Sequence, residues 1–161
     1  MKQGWLARSP QTRIGAFVLA GLCGAIAMAA EVEPATRLAF ADFYQRPIGP
    51  RGLEPNARLL ALAGARVELS GFVARTHDAP VSVAILAATP VTLDDEDEGL
   101  ADDLPAAVAY LHATDARVAA AIGACRGAMR VAGRLELGRQ PEADGRASFV
   151  RLRADDVQCA R

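Results

Sequence analysis

The densest run of chemically capable side chains is Asp94, Asp95, Glu96, Asp97 and Glu98, five consecutive carboxylates followed by Gly99. Like charges this close repel one another, and a hard cation such as Ca²⁺, which takes about six to eight oxygen ligands, relieves the repulsion. With Asp94 as the first position of an EF-hand loop, Gly99 falls correctly at the sixth, but Pro105 occupies the twelfth, where a bidentate Glu is required. The run reads first as a solvated charged loop and second as a weak divalent-cation site. No other cofactor is implied by any residue pattern.

Thiol, imidazole and hydroxyl chemistry find little support. Cys125 and Cys159 have no Cys-x-x-Cys partner and no neighbouring His to lower a thiol pKa. A disulfide between them is the expectation, two separate buried thiols the alternative. A terminal hairpin turning near Glu142 would set the two cysteines opposite each other to within one residue. His77 and His112 lie at no metal-ligand spacing, and Ser70, Ser82 and Ser148 fall inside strand patterns, none in a Gly-x-Ser-x-Gly elbow. Neither a Gly-x-Gly-x-x-Gly nor a Walker spacing occurs. Stacking chemistry is the remaining candidate: Phe72, Tyr110 and Phe149 as platforms, with Arg130, Arg134, Arg151 and Arg153 as phosphate partners on one hairpin face. The competing reading is a solvated sheet whose arginines blunt its edges.

Charge weighs against nucleic acid. Lys2, Arg8 and Arg13 form a basic start without acids, and Ile14 to Ala30 follow without any charge, ending in Ala27-Met28-Ala29. A basic segment, an apolar run and small residues at −3 and −1 are the marks of a secretory signal peptide, here residues 1–29. The run of 17 uncharged residues is short of the roughly 20 that a membrane helix needs. Retention of residues 14–30 as an inner-membrane anchor is the second reading, and only then does the chain touch a membrane. Removal of 29 residues from 161 leaves 132, and takes three of the 18 basic residues and none of the 19 acids, so the net charge falls to −4. A weakly acidic domain lacks the long-range attraction that drives non-specific nucleic-acid binding. Within it, seven acids and no base lie between Asp94 and Asp103, while eight Arg face five acids from Arg126 onward.

The elements that must hold these residues follow from periodicity. Residues 30–63 read as an irregular arm, broken by Pro34, Pro47 and Pro50 and carrying Phe40, Phe43 and Tyr44, then a short helix ending at Gly64. Residues 64–161 read as one domain. Val67, Leu69, Gly71 and Val73 alternate with polar neighbours, as do Val81, Val83, Ile85 and Ala87, which predicts two antiparallel strands bent at Gly71. A third strand is predicted over 107–112 and a helix capped at Thr114 or Asp115, with Val118, Ala121, Ile122 and Cys125 on one face. Met129 to Leu137 and Val150 to Ala154 alternate as a closing hairpin. Strand, strand, strand, helix, strand, strand is the order of an OB-like five-stranded Greek-key barrel, mainly β with one short helix between strands 3 and 4. A small open α+β sheet is the alternative.

The stretches Phe43-Tyr44, Gly49-Pro50-Arg51-Gly52-Leu53-Glu54, Leu62-Ala63-Gly64-Ala65-Arg66-Val67 and Leu69-Ser70-Gly71-Phe72-Val73-Ala74 resemble a group of uncharacterised secreted bacterial proteins with a small OB-like domain. The resemblance continues through Thr89-Pro90-Val91 and Asp102-Asp103-Leu104-Pro105. In those relatives a Cys-Pro-Phe-Cys motif after the second strand implies a metal or thiol site. This chain carries Leu93-Asp94-Asp95-Glu96-Asp97 there, so the resemblance transfers no functional residue. The reading that unites these observations is an exported, non-enzymatic OB-like binding or assembly module of the bacterial envelope, periplasmic or secreted, with an envelope protein as partner. A divalent-cation-binding protein using residues 94–98 is the alternative.

Overall fold

The computed structural model describes residues 33–76, 84–93, 104–143 and 145–160. The signal segment 1–29, His77, Ser82 and the acidic run Asp94, Asp95, Glu96, Asp97 and Glu98 lie outside those residues. In chain order the elements are β1 (Thr36–Arg37), a 3-10 turn (Phe40–Asp42), α1 (Ala57–Ala61), β2 (Arg66–Thr76), β3 (Ala84–Ala87), β4 (Thr92–Leu93), β5 (Val108–Ala113), α2 (Ala116–Ala124), β6 (Met129–Pro141) and β7 (Ala147–Cys159). Among the described residues the chain is mainly β with two short helices. Its sheet has seven strands rather than five, because two-residue strands β1 and β4 add in parallel to β2.

Period-two alternation builds the long strands. Val67 and Leu69 of β2, Ala109 and Leu111 of β5, Val131 and Leu135 of β6 and Leu152 and Ala154 of β7 all turn inward to one buried cluster. The arm contributes Phe43, fully buried, with its ring centroid 5.1 Å from that of Phe40, so the aromatic residues cover the core as their density suggests.

β2 changes partner at its middle: Arg66 to Gly71 pair antiparallel with β6, and Phe72 to Ala74 pair antiparallel with β3. Gly71 sits at the change because a Cβ there would collide with the carbonyl oxygen of Ala87 and lie 3.0 Å from the Phe40 ring. Only glycine admits that approach. From β3 the pairing passes antiparallel to β5, parallel to β7 and antiparallel to β6.

Both helices carry the caps their sequence calls for. Asn56 accepts from the Arg58 N–H at 2.9 Å to start α1, and the chain leaves that helix at Gly64, whose N–H donates to Leu135 at 2.8 Å. Asp115 accepts from the Val118 N–H at 2.8 Å, and Val118 and Ile122, four residues apart, bury the inner face of α2.

Cys125 and Cys159 are bonded, with Cα atoms 5.6 Å apart. The bridge is not the hairpin rung that a turn near Glu142 would make. Cys159 faces Met129 in the β6–β7 register, and Cys125 is the C-cap of α2. The last rung of the hairpin is Pro141 with Ala147, so the turn is centred beyond Glu142, and two irregularities shift its register, between Ala132 and Gly133 and between Leu137 and Gln140. The disulfide therefore fastens a helix end to the last strand.

Candidate functional site

An apolar groove of about 630 Å³ runs between α1 with its preceding loop and the far end of the β6–β7 hairpin. Leu53, Pro55 and Leu60 form one wall, Leu137, Gly138 and Phe149 the other, with Leu59 and Val150 of the core beneath. Leu53, Leu60 and Phe149 are 45%, 54% and 54% exposed, so three large apolar side chains stand in water around one concavity. Tyr44 also lines it, and burial raises its hydroxyl pKa above the ordinary tyrosine value. Arg139 follows Gly138 and has no partner among the described residues, nor has Arg46, next to the Gln45 side chain that donates to the Pro55 carbonyl at 3.2 Å. The adjacent acid, Glu54, is already neutralised by Arg51 at 2.6 Å.

A buried polar network fixes the hairpin wall. Gly138 takes φ +111°, a conformation that suits glycine, and its carbonyl accepts from Arg151 Nη1 at 2.6 Å. The same Nη1 donates to Ser148 Oγ at 3.1 Å, and the fully buried Ser148 hydroxyl donates to Glu142. Glu142 in turn meets His112 Nε2 at 3.1 Å. Serine, carboxylate and imidazole thus come together, but in the wrong order for nucleophilic catalysis. That chemistry puts imidazole against the hydroxyl and carboxylate behind the imidazole, whereas here Glu142 stands between the other two.

Of the rings and arginines considered as stacking platforms and phosphate partners, Tyr110 and Arg151 are buried. Tyr110 is 5% exposed because Ala74 and Ile85 flank it and Val91 and Leu104 pack over them. Phe72 is half-buried on β2, and Phe149 alone of the three stands out. Arg151, 6% exposed, is spent on Gly138 and Ser148, with Glu136 at 3.6 Å from its Nε. Arg153 lies 3.9 Å from Glu136, Arg130 donates to Gln158 at 3.0 Å and Arg134 to the Gly64 carbonyl at 2.7 Å. Arg151 is thus buried within the fold, whereas Arg130, Arg134 and Arg153 stay exposed while each meets a partner inside it.

A second, polar cleft beside α2 is likewise internally paired. Arg66 grips Asp155 with two bonds of 3.0 and 2.7 Å and donates to the Glu33 carbonyl at 2.8 Å. The Asp155 hydrogen bond holds the Arg66 pKa above its ordinary value. Asp155 has no opposite number on β6, where Ala132 pairs with Asp156 and Gly133 with Ala154; the bulge aims it at Arg66. Among the described residues no group of three or more His, Cys, Asp or Glu is gathered to hold a metal, and no helix is long and apolar enough to cross a membrane.

Sequence reasoning missed both the groove and the network behind it. The available signals were Leu53, an isolated leucine in a Pro- and Gly-rich loop, and Leu60, on a helix too short to bury all its leucines.

No family model and no curated protein matches the chain. Among solved structures it is similar to a DUF3299 family protein of Pseudomonas aeruginosa PAO1, at 11% identity and a TM-score of 0.47, over 80% of this chain and 98% of that one. It is also similar to an OBody bound to hen egg-white lysozyme, at 16% identity and a TM-score of 0.40, over 78% of this chain and 94% of that one.

Proposed function

We propose that this chain is an exported OB-type module that binds a protein partner in the bacterial envelope through the groove between α1 and the β6–β7 hairpin, without chemistry of its own. The groove carries the reading. Three exposed apolar side chains converging on one concavity cost solubility and add little to folding, which is the mark of a recognition surface. The pairings β2–β3–β5–β7–β6 and β6–β2, with α2 between β5 and β6, support the OB-type barrel. The Cys125–Cys159 bond supports an oxidising compartment, and the basic start with its apolar run supports export.

Photo-crosslinking in intact bacteria tests it, with the crosslinking residue at Leu60, Phe149 or, as control, Arg130. The expected result is one discrete adduct, in the periplasmic or envelope fraction, formed from Leu60 and Phe149 and not from Arg130. Equal labelling from all three positions, or protein confined to the cytoplasm with free thiols, overturns the reading.

A further inference from the structure

We infer that His112 couples the groove to pH: a proton on its imidazole strengthens the chain of hydrogen bonds that holds the hairpin wall, so the wall is firmest in acid. The inference rests on the reading of the groove as the working site and concerns its regulation, not its occupant.

The wall depends on side chains because the strand ladder is interrupted there. Between Leu137 and Gln140 the β6–β7 register shifts, so the wall residue Gly138 lies outside the rungs. Its carbonyl is held instead by Arg151 Nη1 at 2.6 Å. From Arg151 the donors run one way, to Ser148 Oγ at 3.1 Å and from that hydroxyl to Glu142 Oε1. Ser148 directly precedes Phe149, the exposed ring of the same wall. Glu142 closes the hairpin end through its own N–H, which donates to the Arg146 carbonyl at 2.8 Å. The second carboxylate oxygen, Oε2, faces His112 Nε2 at 3.1 Å, and the imidazole thereby ties the hairpin end to β5.

The imidazole is the link that answers to protons. The Glu142 side chain is 3% exposed and that of His112 33%, so water reaches the ring and not the carboxylate. A protonated imidazole donates from both nitrogens, whereas the neutral ring donates from Nε2 in only one of its two tautomers. Protonation also makes the bond to a carboxylate charge-assisted, roughly twice as strong as its neutral counterpart. Among the described residues the other charged groups around the pair are Arg153, beside His112 in the β5–β7 register, Glu136, between Arg151 and Arg153, Arg134, bonded to the Gly64 carbonyl, and Arg146 of the turn. β3, on the other side of β5, brings none. Arginine keeps its charge throughout, and histidine is the side chain that ordinarily changes charge between about pH 5 and 8.

Hydrogen–deuterium exchange of the purified protein, corrected for the pH dependence of free amides, tests this at about pH 5.5 and pH 8. Residues 138–149 should open about fivefold less often at the lower pH. His112→Gln should abolish that difference, and so should Glu142→Gln, which keeps an acceptor for Ser148. α2, anchored by Val118 and Ile122, should open equally at both. A hairpin end that opens equally at both pH values in the natural protein overturns the inference, as does a difference that survives in His112→Gln or appears to the same extent in α2. In intact bacteria the Phe149 crosslink should be stronger in medium at about pH 5.5 than at about pH 8. Equal crosslinking of one partner at both shows that the coupling stops short of the groove and overturns the inference while the groove reading survives. If exchange responds as expected but Phe149 crosslinks nothing at either pH, the groove reading falls and the link between His112 and the hairpin stands.

Discussion

Arg151 illustrates how a residue chosen for one chemistry serves another. On sequence it is a surface cation on a hairpin; in the fold its guanidinium is 6% exposed and bonds to Gly138 and Ser148, holding one wall of the groove. Arg151→Met keeps much of the aliphatic volume and removes those donors, leaving the buried Ser148 and the Gly138 carbonyl short of a partner. The expected cost is about 2–3 kcal/mol in urea unfolding. A loss below about 0.5 kcal/mol would show that solvent replaces the guanidinium and that the network does not define the wall. Glu142→Gln keeps an acceptor for Ser148 and loses only the charge facing His112, so it should cost less, about 1 kcal/mol. Tyr44, which lines the groove, supplies a pH prediction. Burial disfavours its phenolate, so the folded pKa lies above the ordinary value of about 10. The unfolded chain therefore ionises first, and the stability contributed by the neutral ring is complete below about pH 10 and lost as pH rises through the folded value. Melting temperature should fall more steeply above pH 10 for the natural protein than for Tyr44→Phe. Parallel curves would mean that the hydroxyl is solvated.

At the scale of elements, the disulfide and the bend in β2 do separate jobs. The bridge spans 34 positions and joins the C-cap of α2 to the end of β7, so it limits the unfolded chain more than it shapes the sheet. Cys125→Ser with Cys159→Ser should cost about 3–4 kcal/mol, in line with closure of a loop of that length. A loss under about 1 kcal/mol would show that α2 stays docked through Val118 and Ile122 alone. Gly71→Ala should be at least as damaging, because the added methyl meets backbone rather than a movable side chain, and the β2–β3 pairing must open to admit it. These elements were legible because their signals are local: alternation in β2, β5, β6 and β7, the Asp115 cap, and a mid-strand glycine where no side chain fits. The hairpin register was not, since it depends on bulges at Ala132/Gly133 and Leu137/Gln140 that leave no mark in the hydrophobic period. Missing the bulges also hid the Arg66–Asp155 pair, 89 residues apart in sequence.

For the whole molecule, the groove marks where folding and recognition part company. Its floor, Leu59 and Val150, belongs to the core and its spacing is readable from the sequence; its rim comes from three separated stretches that only the tertiary fold brings together. That is why the exposed leucines were legible as helix and loop residues but not as a site. Because Leu60 and Phe149 are each 54% exposed when folded, making either one acidic forfeits little burial and should change stability by less than about 0.5 kcal/mol. Recognition should respond very differently, because an acidic side chain in the groove opposes the apolar contact that Leu53, Leu60 and Phe149 offer. Leu60→Glu and Phe149→Asp proteins should therefore melt within about 1–2 °C of the parent while losing the crosslinked partner in cells. Arg130→Glu, at a position that does not line the groove and whose side chain bonds, among the described residues, to Gln158, serves as the matched charge change and should retain the partner. A drop of more than about 2 kcal/mol in Leu60→Glu would instead place Leu60 in the core, and the exposed rim would then be a packing feature rather than a recognition surface.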